Sequence, residues 1–147
     1  MSNAQRAPGI NPTALSMIIC DHVWRDPCEG KSTIIGTFTT LNADNFPFRH
    51  PVLAIYFALT DGHGDVMVKL RLIDVDDEHP PIFEIMTNLR FNVPHDIVEK
   101  GVEIGRPLFP RAGEYRLQMF TNGELLIERR LSVRSRLRRS APEQPYS

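Results

Sequence analysis

Apolar and polar residues in this chain alternate with a period of two, and nowhere do they settle into the three-to-four spacing of an amphipathic helix. Val66, Val68, Leu70 and Leu72 alternate with Met67, Lys69 and Arg71, the pattern of a strand with one buried face. Tyr115, Leu117 and Met119 point one way while Glu114, Arg116 and Gln118 point the other. In 52–59, Leu53, Ile55, Phe57 and Leu59 share one face, and Ala54, Tyr56 and Ala58 occupy the opposite face. Such a strand belongs in the middle of a sheet. The run 15–23 is apolar almost throughout and reads as a strand buried on both faces. Residues 31–41, rich in Thr, Ile and Phe, suit a single pleated strand, with Gly36 as a bulge or close approach. Further strands are expected at 82–85 with 89–93, at 102–106 as an edge, and at 125–133. The one helical signal is a single turn around Ile97 and Val98.

Turn chemistry separates these runs. Asp26-Pro27-Cys28-Glu29-Gly30 and Asp61-Gly62-His63-Gly64 are turns, and 42–51 is a longer connection that tucks Phe46, Pro47 and Phe48 under the body. Asn122-Gly123 stands between two strand-like runs, where both residues tolerate the positive φ of a type I′ hairpin turn. The entry Pro110-Arg111-Ala112-Gly113-Glu114-Tyr115 resembles the way β-sandwiches set a tyrosine at a sheet corner. The expected fold is therefore all-β: an antiparallel β-sandwich of about eight strands, immunoglobulin-like or C2-like, with no substantial helix.

A length of 147 residues suits one domain. The expected division is a flexible N-terminal arm at 1–13, the sandwich at 14–134, and a basic, disordered tail at 135–147. No apolar run approaches the ~18 residues of a membrane span, and the N-terminus has no secretory pattern. Two cysteines, Cys20 and Cys28, are too few for a disulfide-built scaffold, so a cytoplasmic location is expected. Charge adds something new. Arg129, Arg130, Arg134, Arg136, Arg138 and Arg139 stand together without an acid. The whole chain carries −1 and Glu143 is the only other charge after Arg139, so residues 1–128 carry −6. An acidic body joined to a basic segment suits contact with an anionic partner, a second copy of the chain included.

Several blocks together resemble a bacterial family of unknown function. They are Cys20-Asp21-His22-Val23, Gly30-Lys31-Ser32 with Ile35-Gly36-Thr37-Phe38, Phe46-Pro47 with His50-Pro51, and Leu59-Thr60-Asp61-Gly62-His63-Gly64. Phe109-Pro110, Gly113-Glu114-Tyr115 and Asn122-Gly123 fit as well. The resemblance covers about residues 14–133 and implies a compact β-sandwich with no assigned activity, cofactor or partner. No catalytic residue is carried over with it.

Candidate chemistry is thin. Gly30-Lys31-Ser32-Thr33 has the end of a phosphate loop, but Arg25 stands where that motif needs a glycine, and a strand follows where it needs a helix. Cys20, His22 and Cys28, with His50 or His63, could supply zinc ligands, although the spacing fits no compact zinc motif. Asp74, Asp76 and Asp77 form an acidic loop that could hold calcium if Asp61, Asp21 or Asp26 joined it. No nucleophile-base-acid set is legible; Glu84, Glu99 and Glu103 read as scattered and solvent-facing. The six arginines could bind nucleic acid, but only Tyr146 lies near them to stack on bases. The expectation is a non-enzymatic interaction or assembly module without a cofactor, binding a protein partner or itself. Calcium-dependent membrane or ligand binding, and anionic-polymer binding through the arginines, are the alternatives.

Overall fold

The structure is a computed structural model that describes residues 11–76 and 79–136. Among these it has eleven strands and no α-helix. One sheet has the order β2 (Ser32–Thr37), β1 (Thr13–Arg25), β5 (Val52–Thr60), β8 (Val98–Gly105). The other runs β3 (Thr40–Ala43), β11 (Glu124–Ser135), β10 (Gly113–Thr121), β6 (Gly64–Asp74), β7 (Phe83–Phe91). Two short strands, β4 (Phe48–Arg49) and β9 (Leu108–Phe109), pair with each other. The two large sheets face one another across a shared core, with the β10–β11 hairpin beside β6 and β7, and β1, β5 and β8 opposite. That partition is an immunoglobulin-like sandwich.

The inner face of β5 (Leu53, Ile55, Phe57, Leu59) meets Val68, Leu70 and Leu72 of β6 and Tyr115, Leu117 and Met119 of β10, all essentially without solvent contact. The alternation in each strand fills this layer, because only every second side chain faces it. At the hairpin turn, Thr121 pairs with Glu124, and Asn122 and Gly123 both take positive φ, 53° and 79°. Both values fit the type I′ turn of a two-residue loop. At the other end of β10 the Tyr115 hydroxyl donates to the Arg111 carbonyl at 2.6 Å. Its ring meets Phe109 edge-on, with centroids 5.2 Å apart.

Several local expectations are corrected. Residues 31–41 are not one strand. Gly36, at φ 71°, stays inside β2 at a close approach, where a Cβ would collide with the Asp21 carboxylate. The run breaks at Phe38 and Thr39, so β2 stays with β1 while β3 joins the opposite sheet, parallel to β11. The pairing is therefore not wholly antiparallel. Short β3, β4 and β9 bring the strand number above eight. The 82–93 region is one strand, β7, held along its length by β6. No helical turn forms at Ile97; β8 begins at Val98 instead and spans eight residues. Nor is β1 buried on both faces: Leu15 and Trp24 are exposed. Ser135, expected to open the tail, closes β11 and pairs with Ala43.

Candidate functional site

β1 belongs to two neighbourhoods. Residues from Thr13 to Cys20 pair with β5, and those from Cys20 to Arg25 pair with β2. Past Cys20 the strand leaves β5 and crosses to β8. His22 Nδ1 lies 2.8 Å from Glu103, and the Arg25 guanidinium donates to the Glu99 carbonyl at 3.4 Å. Val23 packs so close to Gly101 that a Cβ there would lie 2.7 Å from a Val23 methyl. The crossing explains why Ala54, Tyr56 and Ala58 are buried on a face that points away from the core. Beneath it the Tyr56 hydroxyl donates to Glu99 at 2.5 Å. Burial, and then the carboxylate beside it, push the Tyr56 phenol up to about 12.

Among the described residues β2 pairs with β1 and with no other strand. None of positions 21–25 or 32–37 is buried. Trp24 and Ile35 are each 48% exposed and stand on the same face of the hairpin, since Trp24 is opposite Thr33 and His22 opposite Ile35. Ser-Thr-Ile-Ile-Gly-Thr contains no charge. The other edges are guarded. β8 carries Glu99, Lys100 and Glu103, and Lys100 donates to the Asn88 carbonyl of β7 at 3.2 Å. β7 exposes Glu84 and Arg90, and β3 is four residues long.

The outer face of the five-stranded sheet is mixed. Lys69 and Arg71 both sit over the Phe120 ring, each 5.1 Å from its centroid, and exposed Met67, Met86 and Leu125 lie around them. Polar links cross this face: Arg71 to Gln118 at 2.9 Å and Gln118 to Glu128 at 2.9 Å.

Arg129, Arg130 and Arg134 lie on β11. The Arg129 guanidinium donates to the Met17 carbonyl at 3.2 Å, and Arg130 pairs with Glu114 at 3.2 Å. Arg136 grips Asp44 at 3.1 Å. Arg134 is exposed; Arg138 and Arg139 lie outside the described residues. Arg129 and Arg130 also border a cleft of about 400 Å³ between β1 and β11, lined by Met17, Ile19, Phe38 and Thr39.

Asp74 is buried, not an open loop ligand. One carboxylate oxygen accepts from Arg111 at 3.0 Å and the other from the Asp76 amide at 3.0 Å. Asp76 is exposed, and Asp77 lies outside the described residues. Cys20 is buried and its thiol points at the His22 and Ala54 carbonyls, whereas Cys28 is exposed in the hairpin turn. Among the described residues no three His, Cys, Asp or Glu side chains converge as metal ligands, and no helix is long and apolar enough to cross a membrane.

The roles of Gly101, Glu99, Glu103 and Tyr56 were not legible in sequence, because each depends on a strand about 30 or more residues away crossing over it. One signal was present: the chargeless run 32–37.

Residues 15–134 match the profile of a family of unknown function, DUF6941. Among solved structures, an immunoglobulin-like protein from Pseudomonas aeruginosa is similar at 17% identity and a TM-score of 0.43, covering 87% of this chain and 100% of that one. No curated protein matches the chain.

Proposed function

The chain belongs to DUF6941, a family of unknown function, and from that premise we propose that it is a non-enzymatic interaction module of the bacterial cytoplasm. It joins a protein partner through a sheet edge. The observation that carries this reading is the β2 edge, uncharged, without a partner strand among the described residues, and flanked by Trp24 and Ile35, both half exposed. A row of free backbone groups next to exposed apolar side chains is what strand addition uses: the main chain supplies affinity and the side chains supply selectivity. Trp is also among the residue types enriched where binding energy concentrates.

Size-exclusion of the endogenous protein from a gentle, low-salt extract of its host tests the reading. Elution well above the position of the monomer is expected, and Trp24→Ala introduced at the native locus should move it towards the monomer. Elution as a monomer in both cases would overturn the proposal.

A further inference from the structure

We infer that the partner strand of β2 is β2 of a second copy, paired antiparallel about a two-fold axis near Ile35. This rests on the reading of the domain as an interaction module and names its partner.

The argument starts from what a two-fold edge contact demands. Such a contact is isologous, so each residue meets itself or a mate from the same short segment. A charged residue near the axis therefore meets its own charge, and like charges directly opposite one another in a sheet are destabilising. On β8, with Glu99, Lys100 and Glu103, and on β7, with Glu84 and Arg90, an axis at any charged position carries that cost, so those edges tolerate fewer registers. β2 is the long edge without it: Ser32, Thr33, Ile34, Ile35, Gly36 and Thr37 hold no charge and no proline. β2 ends at Thr37, and past Phe38 and Thr39 the chain crosses to the opposite sheet as β3.

The side chains agree with the backbone. A two-fold axis perpendicular to the sheet keeps the same residue of both copies on the same face. Ile35, 48% exposed, would then gather with its mate beside the axis, with Trp24 of each β1 flanking the pair. Threonines flank it along the strand, and cross-strand Thr–Thr and β-branched pairs suit such a seam. Two four-stranded sheets become one continuous sheet, and the edge that lacks protection in the single copy disappears.

The test is the mass of the full chain by sedimentation equilibrium at concentrations up to about 100 µM, where a dissociation constant of about 10 µM leaves mostly dimer. Twice the chain mass is expected. Ile35→Lys, which sets two ammonium groups beside the axis, should raise the dissociation constant about tenfold or more while leaving the circular dichroism spectrum unchanged, and the melting temperature unchanged in dilute samples where both proteins are monomeric. Met86→Lys, on the outer face of the other sheet and 62% exposed in the single copy, should leave the dimer intact. A dimer that survives Ile35→Lys, or that Met86→Lys dissociates instead, overturns the β2 seam. A full chain that stays monomeric overturns the second copy. If the same chain cut after Arg136 then dimerises, residues 137–147 hold the edge instead. A monomeric purified protein that elutes in a larger complex from the host extract removes the second copy and leaves the interaction module standing. Monomers in both experiments remove both.

Discussion

Tyr115 carries two contacts that only a buried phenol can make together. Its ring packs edge-on against Phe109, and its hydroxyl donates to a backbone carbonyl four residues upstream. Tyr115→Phe keeps the first and breaks the second. Denaturant unfolding should show a loss of about 1 kcal/mol or more, and Tyr115→Ala a loss of about 3–5 kcal/mol. An unchanged midpoint in Tyr115→Phe would mean that the corner contributes nothing to the fold. The two cysteines give a second residue-scale prediction. Cys20 has no solvent contact, and burial, the largest influence on it, pushes its thiol pKa up; reaction requires the exposed thiolate. A colorimetric thiol reagent should titrate one group per native chain, Cys28, and two after unfolding. Rapid native reaction of both would contradict the placement of Cys20.

Among the elements, one close approach can be tested in each of the β1–β2 hairpin and the small β4–β9 sheet. Val23 and Gly101 are one. Gly101→Ala should destabilise by about 1–3 kcal/mol through overpacking, even though alanine recovers some backbone entropy. Trimming the neighbour as well, in Gly101→Ala with Val23→Ala, should recover part of that loss, which a double-mutant cycle measures as coupling. Additive losses would mean that the two residues do not touch. The other approach is His50, whose backbone amide donates to the Pro107 carbonyl at 3.0 Å. Its ring lies between Phe38 and Phe48 at 5.8 and 5.9 Å. Burial there pushes the imidazole pKa below its ordinary 6.5, with Asp21 opposing the shift. The unfolded chain then takes up the proton more readily than the folded one. Stability from the neutral ring is present above about pH 6.5 and is lost as pH falls through the depressed folded value. His50→Phe should show a flatter stability profile on the acid side. Parallel profiles for variant and parent below pH 6.5 would contradict the burial of that ring.

For the molecule as a whole, protection should follow the sheets inward. β5, β6 and β10 each have neighbours on both sides and together supply most of the buried core, so their amides should exchange only on global opening. In the Ile35→Lys variant, β2 should exchange far faster, since β1 alone holds it among the described residues. Equal protection of β2 and β5 in that variant would overturn this ranking. The same division separates what was legible from what was not. Alternation at 52–59, 66–72 and 115–119, the two-residue turn at Asn122-Gly123 and the tyrosine entry at Gly113 are relations between near neighbours, so these strands, the hairpin and the sandwich class were legible from local pattern alone. That the run 31–41 divides after Thr37 could not be read locally, because Thr and Ile before the break and Thr and Leu after it suit a strand equally. Only the opposite sheet, by offering β11 as a parallel neighbour for β3 about 90 residues away, decided it. The acidic loop and the arginines followed the same rule. Asp74, Arg129, Arg130 and Arg136 are charges in the sequence, and only the folded chain could assign Arg111, the Met17 carbonyl, Glu114 and Asp44 as their partners. The unguarded edge belongs to both levels: its lack of charge was written in residues 32–37, but a strand becomes an edge only when the rest of the sheet has chosen its neighbours.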